Sequence, residues 1–272
     1  MALPLFSIAQ TITFCQIQSQ NPNNNQADTY GVGTIDIGND WSVNIATPIG
    51  QTGFGDGTFS ITYHPNGNMY GTIPDIGVFL EINPDDLSSE VLAIYTSSSL
   101  FGYSLSSAPD GKFYFTSLTG AFGSYDHDLA QFDFSSGLIG INSTPYYFNG
   151  CLTFINGELY ARIYTLALTT GIVSPNNKIV KVNMDNPADS ELVLEMPDDR
   201  KIVAMTTFNY DCDSSVTYLA VRNVSGPNIT GYDIYQFDEK EPSLTFITEI
   251  TDIGLITDFA NPTEHLRFDC VP

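Results

Sequence analysis

Ile61-Thr-Tyr-His-Pro-Asn66-Gly67-Asn-Met-Tyr70, Leu105-Ser-Ser-Ala-Pro-Asp110-Gly111-Lys-Phe-Tyr114 and Leu152-Thr-Phe-Ile-Asn156-Gly157-Glu-Leu-Tyr160 are three versions of one phrase. Each reads as a short strand, an Asx-Gly turn and a second strand that ends in tyrosine. Asn-Gly and Asp-Gly suit tight hairpins because both residues tolerate positive φ. Weaker copies run from Met205 to Tyr218 and from Thr257 to Phe268. The aromatic anchors Tyr70, Tyr114, Tyr160, Tyr218 and Phe268 stand 44, 46, 58 and 50 residues apart.

A second pattern falls between the first. Leu80-Glu-Ile-Asn83, Ala130-Gln-Phe-Asp133, Val180-Lys-Val-Asn183 and Tyr235-Gln-Phe-Asp238 alternate apolar with polar residues and end in Asx. Each leads through a turn into another apolar stretch, such as Val91 to Tyr95 or Leu192 to Glu195. Period-two alternation bounded by turn residues is the mark of a strand. No window carries apolar residues three and four apart over ten positions, as a helix needs. Each repeat therefore holds four strands, the content of a propeller blade. Gly33-Thr-Ile-Asp36 and Trp41 to Ala46 supply a third and fourth strand with no first half before them, and Leu255 to Phe268 supplies a first and second. The expectation is an all-β, five-bladed β-propeller of four-stranded antiparallel blades, with the ring closed by N- and C-terminal half-blades. Such closure removes exposed sheet edges.

Composition bounds the function. The 272 residues carry 9 Lys+Arg against 31 Asp+Glu, a formal net charge of −22, with 42% hydrophobic residues. The apolar share builds a core, which excludes a disordered acidic tail. Nine scattered cations do not make the basic patch that nucleic acid requires. No apolar run reaches the ~20 residues that span a bilayer as a helix.

The Pro-Asn66-Gly67 and Pro-Asp110-Gly111 turns, with the Asx endings of the third strands, resemble secreted bacterial β-propellers of the streptogramin-lyase, gluconolactonase and YVTN or NHL-repeat type. The resemblance runs from about Tyr30 to Asp269. It implies the fold and leaves function open, because propellers host enzymes and passive binding modules alike. It also suggests a module of a larger surface protein of the Bacteroidetes kind, with neighbouring domains in a longer chain. Met1 to Gln10, an apolar run ending in Ser7-Ile8-Ala9, is similar to the back half of a signal peptide. The expected layout is thus a truncated leader over 1–10, an N-terminal extension over 11–29 and one propeller over 30–270, in a secreted or cell-surface protein.

Candidate site residues come from the connections after the second strands, read as Ser117 to Asp128, Arg162 to Lys178 and Arg222 to Tyr232. Long loops gathered on one rim are a common place for function. That rim would carry Tyr125, His127, Arg162, Tyr164, Arg222 and Asn223 as ligand-binding residues. Guanidinium groups suit a carboxylate or a sugar hydroxyl, and tyrosine rings offer stacking faces. The expected ligand is a glycan or an acidic peptide. Asp126 and Asp128 are candidate calcium ligands, since alternate acids in a turn supply two or three oxygens; Asp211 and Asp213 form a second such pair. His64 and His265 fall in first turns and His127 on the opposite rim, which does not assemble a lyase site. No Gly-x-Ser-x-Gly elbow or phosphate-binding glycine pattern occurs. The leading reading is a non-catalytic, adhesive or spacer binding module. The alternative is a propeller lyase or lactonase with a metal-assisted site on the long-loop face. Of four cysteines, Cys15 and Cys270 flank the closing blade and are expected to form a disulfide, while Cys151 and Cys212 are expected to stay reduced.

Overall fold

The computed structural model describes residues 10–18, 29–45, 59–74, 77–95, 103–117, 121–134, 137–164, 177–196, 201–211, 214–225, 228–251 and 253–266. The first three strands, β1 (Thr11–Gln18), β2 (Thr29–Asp36) and β3 (Ser42–Ile45), share a sheet with the last, β22 (Leu255–Ala260), in the order β22-β1-β2-β3. This is blade V. Blade I holds β4 (Ser60–Tyr63), β5 (Met69–Ile73), β6 (Val78–Ile82) and β7 (Ser89–Ile94). Blade II holds β8 (Ser104–Ser107), β9 (Lys112–Thr116), β10 (Phe122–Asp126) and β11 (Gln131–Asp133). A small hairpin, β12 (Gly140–Ile141) and β13 (Thr144–Pro145), follows it. Blade III is β14 (Tyr147–Ile155), β15 (Glu158–Tyr164), β16 (Lys178–Lys181) and β17 (Glu191–Glu195). Blade IV is β18 (Ile202–Asn209), β19 (Ser215–Ser225), β20 (Asn228–Asp238) and β21 (Ser243–Ile250). All pairings within the blades are antiparallel, so the protein is a five-bladed β-propeller.

Both chain ends build the closing blade, but they divide it one strand to three. The second strand expected from Leu255 to Phe268 does not follow β22; Asn261 and Pro262 end the strand and a turn runs on to His265. Its place is taken by β1, which pairs Phe14 with Gly33 on one side and with Phe259 on the other. Residues 11–18 are thus part of the ring rather than an extension. Their period-two pattern, which buries Ile12 and Phe14, is easily overlooked between a leader-like run and the Asn- and Gln-rich segment after it.

Blade II also departs from the sequence reading. Its third strand is β10, so Asp126, not Asp133, is the Asx that ends it. Gln131-Phe-Asp133 is the same tripeptide as Gln236-Phe-Asp238, yet one forms a fourth strand and the other ends a third.

Apolar side chains stack in one layer per blade interface. Ile12, Phe14 and Ile35 of blade V meet Phe208, Tyr218 and Ile234 of blade IV. Ile202, Met205 and Leu219 of blade IV meet Ile155 and Ile179 of blade III. Equivalent layers join III to II, II to I and I to V. Each fully buried Phe or Ile stabilises the ring by roughly 1.5–3 kcal/mol, so these layers hold the blades in place.

The Asx-Gly turns differ in detail. In Asn156-Gly157 both residues have positive φ, 50° and 83°. In the two Pro-Asx-Gly turns only the glycine does, because proline holds its own φ near −65°. Gly111 (φ 86°) also lies against the neighbouring blade: a Cβ there would stand 3.2 Å from His64 Nε2. His64 Nδ1 accepts the Asn66 N–H at 3.2 Å, and Nε2–H donates to the Gly111 carbonyl at 3.1 Å. His64 therefore latches blade I to blade II. Gly111→Ala is expected to lower the unfolding free energy by about 1–2 kcal/mol through strained φ and this crowding. Urea titration checks it, and an unchanged midpoint would contradict the latch.

Candidate functional site

The innermost strands β4, β8, β14, β18 and β22 surround the axis, and neighbours are tied by polar side chains. Thr62 Oγ1 accepts the Ser107 N–H at 3.1 Å, joining I to II. Ser104 Oγ accepts the Leu152 N–H at 2.8 Å, joining II to III. Thr153 and Thr207 hydroxyls meet at 2.9 Å, joining III to IV. Asn261 Nδ2 donates to Thr206 Oγ1 and the Thr207 carbonyl, both at 2.8 Å, joining IV to V. Asp258 takes the Ser60 hydroxyl and the Ile61 N–H, joining V to I. The polar belt closes on itself.

One end of the axis is filled by the turn after β22. Glu264, 2% exposed, accepts the Ser106 hydroxyl at 2.9 Å and the Thr206 hydroxyl at 3.0 Å, from opposite sides of the ring. Its own carbonyl takes Asn209 Nδ2 at 2.8 Å. Burial pushes the Glu264 carboxyl up to about 7, against the pull of these hydroxyls and that of Thr153. Burial also lifts Asp258 well above the carboxylate range, opposed by Ser60, with the Glu264 charge adding to the rise.

The other end carries the opposite charge. Gly150 pairs with Arg162 across β14 and β15, where the register shifts twice and Cys151 takes a positive φ of 55°. Such bulges bend a strand and re-aim its side chains. Here the bulge lets Arg162, 7% exposed, cross the inner strand: a Cβ on Gly150 would lie 3.1 Å from Arg162 Nη2 and 4.0 Å from Ser104 Cβ of blade II. Lys201 immediately precedes β18, and its carbonyl takes the Arg222 N–H at 2.9 Å. Burial first, then the charges of Arg162 and Arg222, draw the Lys201 ammonium down to about 8. Three of the nine cations, on neighbouring blades III and IV, thus feel one another's charge. Arg222 Nε is buried with no hydrogen-bond partner among the described residues. The Cys151 thiol beside them is free and buried; burial raises its pKa while the Arg162 guanidinium lowers it.

The residues singled out from sequence fall on two faces. Within each blade, first and third turns share one face; the second connections and blade-to-blade links share the other, the loop face. Arg162, Arg222 and Asn223 belong to the loop face, though they lie in β15 and β19 rather than in loops. Tyr164 also lies in β15, opposite Tyr147, and its side chain is outside the described residues. Asn223 points outward, donating to Asp233 at 2.7 Å and Glu249 at 3.3 Å. Tyr125, Asp126, His127 and Asp128 belong to the end of β10 and its turn, on the opposite face. The error has one source: Ser117 to Asp128 contains β10, so it is not a long loop. Arg222 to Tyr232 is likewise a projecting hairpin of β19 and β20. Of these three connections, the one between β15 and β16, residues 165–177, is the long one.

On the turn face, Tyr125 is 4% exposed, its ring 4.6 Å from Phe132 and 5.1 Å from Phe79, so it packs the core. Asp126 accepts the Leu129 N–H at 3.0 Å and caps its turn, as Asn83, Asn183 and Asp238 do in theirs. His127 lies on the same face as His64, ring centroids 5.6 Å apart, and 3.9 Å from the Asp128 carboxylate. Burial and then the His64 charge hold the His265 pKa down. All three histidines therefore gather on one side, contrary to the sequence reading. Among the described residues no three His, Cys, Asp or Glu side chains stand close enough to hold a metal. Cys15 is a free buried thiol in β1. Cys270, Cys212, Asp213 and the run from Met1 to Ala9 lie outside the described residues.

Sequence reasoning passed over Asp258, Glu264 and Lys201, and read Cys151 only as a thiol that stays reduced. One signal was present: the first strand of every repeat carries buried Ser or Thr, as Ser60, Thr62, Ser104, Ser106, Thr153, Thr206 and Thr207 do. Asp258 replaces such a residue in the fifth copy.

No family model matches the chain, and no curated protein matches it. Solved structures with a similar fold include TolB from Acinetobacter baumannii (TM-score 0.49, 12% identity), over 92% of this chain and 66% of that one. Another is a protein from Lactobacillus plantarum (TM-score 0.47, 10% identity), over 93% and 99% of the two chains. A third is a gluconolactonase from Xanthomonas campestris (TM-score 0.47, 12% identity), over 75% and 79%. This chain spans just under two thirds of the TolB chain. These likenesses concern fold alone. No helix among the described residues is long and apolar enough to cross a membrane.

Proposed function

We propose that the protein is a non-catalytic binding propeller that takes an anionic group at the loop-face end of its axis, between Arg162, Lys201 and Arg222. The observation that carries this reading is the convergence of three cations in a protein of net charge −22. Like charges brought together and desolvated destabilise a fold, and a bound anion offsets that cost. A low-dielectric setting also strengthens charge-assisted hydrogen bonds from guanidinium groups. The acidic surface elsewhere repels anions, so binding is confined to this point. The ligand classes in view are an acidic glycan or an acidic peptide, met in a secreted or cell-surface setting by one module of a longer chain. The second reading is a propeller lyase or lactonase with a metal-assisted site on the loop face.

A binding screen of acidic glycans and peptides against the parent protein and the Arg162→Ala, Arg222→Ala double variant tests the reading. Loss of two charged partners is expected to weaken binding by about 100-fold or more, with far-UV circular dichroism confirming the variant's fold. A ligand bound equally well by a folded double variant places the site elsewhere.

A further inference from the structure

We propose that the outer edge of blade IV, strand β21, is a docking strip for an extended cationic segment of another protein, added to the sheet as a further strand. This surface is separate from the anion site above. β21 (Ser243–Ile250) is hydrogen-bonded to β20 and ends the order β18-β19-β20-β21, so among the described residues it has a strand partner on one side alone. Its eight residues make an edge of about 26 Å. Alternate residues along such an edge turn their N–H and C=O groups outward.

Edges of this kind are ordinarily blunted by brevity, charge, proline or a bulge. The outer strands β3 and β11 run for only four and three residues. β17 begins and ends in glutamate, and β7 carries Glu90. β21, Ser-Leu-Thr-Phe-Ile-Thr-Glu-Ile, is the longest of the five, and its one charge is Glu249. β7, β17 and β21 each carry a bulge, at Leu92, Val193 and Ile247. The regular run before that bulge is shortest in β17, residues 191–192, and longest in β21, residues 243–246.

The side chains on this strip select the partner's chemistry. Phe246 stands opposite Tyr235, ring centroids 5.7 Å apart, yet is 53% exposed. On the same face Glu249 stands opposite Asp233, and Asn223 donates to Asp233 at 2.7 Å and to Glu249 at 3.3 Å. Residues 233–249 hold five acids and one lysine. An added strand would set an apolar or β-branched residue beside Phe246 and a lysine or arginine beside Glu249, both favourable cross-strand pairs. A second copy of the chain would instead bring another net charge of −22 to the contact, and that repulsion opposes self-pairing.

Titration of the full chain with the peptide Arg-Thr-Val-Thr-Val-Thr-Arg, blocked at both ends and followed by fluorescence anisotropy, tests this. The sequence is palindromic, so it presents the same side chains in either strand direction. Binding is expected, and it should weaken with salt. The analogue Glu-Thr-Val-Thr-Val-Thr-Glu should bind at least about tenfold more weakly. Proline in place of the central threonine keeps both charges but cannot extend a ladder, and should also cost about tenfold. Phe246→Lys, at an exposed position, should weaken binding about tenfold with an unchanged melting temperature, and Glu249→Lys should reverse the preference between the two charged peptides. Hydrogen exchange over residues 243–250 should slow when the Arg peptide is bound. Equal binding of the Arg and Glu peptides, or binding unaffected by the proline or by Phe246→Lys, would overturn the proposal. No binding at all would overturn it too, as would β21 amides already fully protected in the unbound chain. A dimer in analytical ultracentrifugation that Phe246→Lys dissolves would make a second copy the occupant and overturn the cationic partner.

Discussion

A chain lacking residues 1–18 is expected to lose cooperative folding. β1 is the second strand of the closing blade, hydrogen-bonded to β2 on one side and β22 on the other. Without it β22 is severed from β2, and the ring is open. Ile12, Phe14 and Cys15 are all fully buried, and losing three such side chains removes about 4–9 kcal/mol. A whole domain is commonly stable by only ~5–15 kcal/mol, so the deletion consumes most of that margin before any hydrogen bond is counted. Two sheet edges are also laid bare, which favours aggregation. Thermal melting followed by circular dichroism, with limited proteolysis, reads the outcome. Adding a peptide of residues 10–18 in trans should restore part of the transition. A truncated protein that melts cooperatively at the parent's temperature would show that blade V does not close the ring.

Glu264 sets the second expectation: the protein should be less stable at pH 8 than near pH 5.5. In the folded state its carboxyl is pushed up to about 7, from an ordinary value of 4.5. The folded protein therefore holds a proton that the unfolded chain has already released. The associated stability is fully present below about pH 4.5 and is lost as pH rises through 7, amounting to about 3 kcal/mol. Asp258, raised well above its usual range by burial, acts in the same direction. His265 acts against them on the acid side, because burial and His64 hold its pKa below 6.5; its contribution is lost as pH falls through that lowered value. Glu264→Gln keeps the shape without the charge. It is expected to raise the pH 8 stability by about 2–3 kcal/mol and flatten the slope between pH 5.5 and 8. Glu264→Ala should instead cost about 2–4 kcal/mol at pH 5.5, since it leaves the Ser106 and Thr206 hydroxyls without their buried acceptor. Urea unfolding at both pH values separates these cases. A Gln variant with the parent's slope would mean that Glu264 does not titrate in this range.

The blades were legible because their signals are local. Asx-Gly turns demand particular backbone angles, and period-two alternation places every second side chain against a neighbouring blade. These cues need only a few adjacent residues, as at Asn66-Gly67 or Val180 to Asn183. Strand number within a blade is not local. Gln131-Phe-Asp133 and Gln236-Phe-Asp238 are the same tripeptide, and only the pairing of β11 with β10, and of β20 with both β19 and β21, tells them apart. That ambiguity moved Tyr125, Asp126, His127 and Asp128 to the wrong face.

By itself, then, the amino-acid sequence determined the all-β class, the number of blades and the closure by both chain ends, because turn chemistry and alternation act over a few residues. It also determined the acidic character, a formal net charge of −22. Tertiary structure alone decided the three-to-one division of the closing blade, since β1 competes for its place through contacts more than 200 residues away, such as Phe14 with Phe259. It alone brought together Arg162, Lys201 and Arg222, and set Glu264 between Ser106 and Thr206. Ring closure places side chains from separate blades around one axis, and the low dielectric there is what gives their charges consequence.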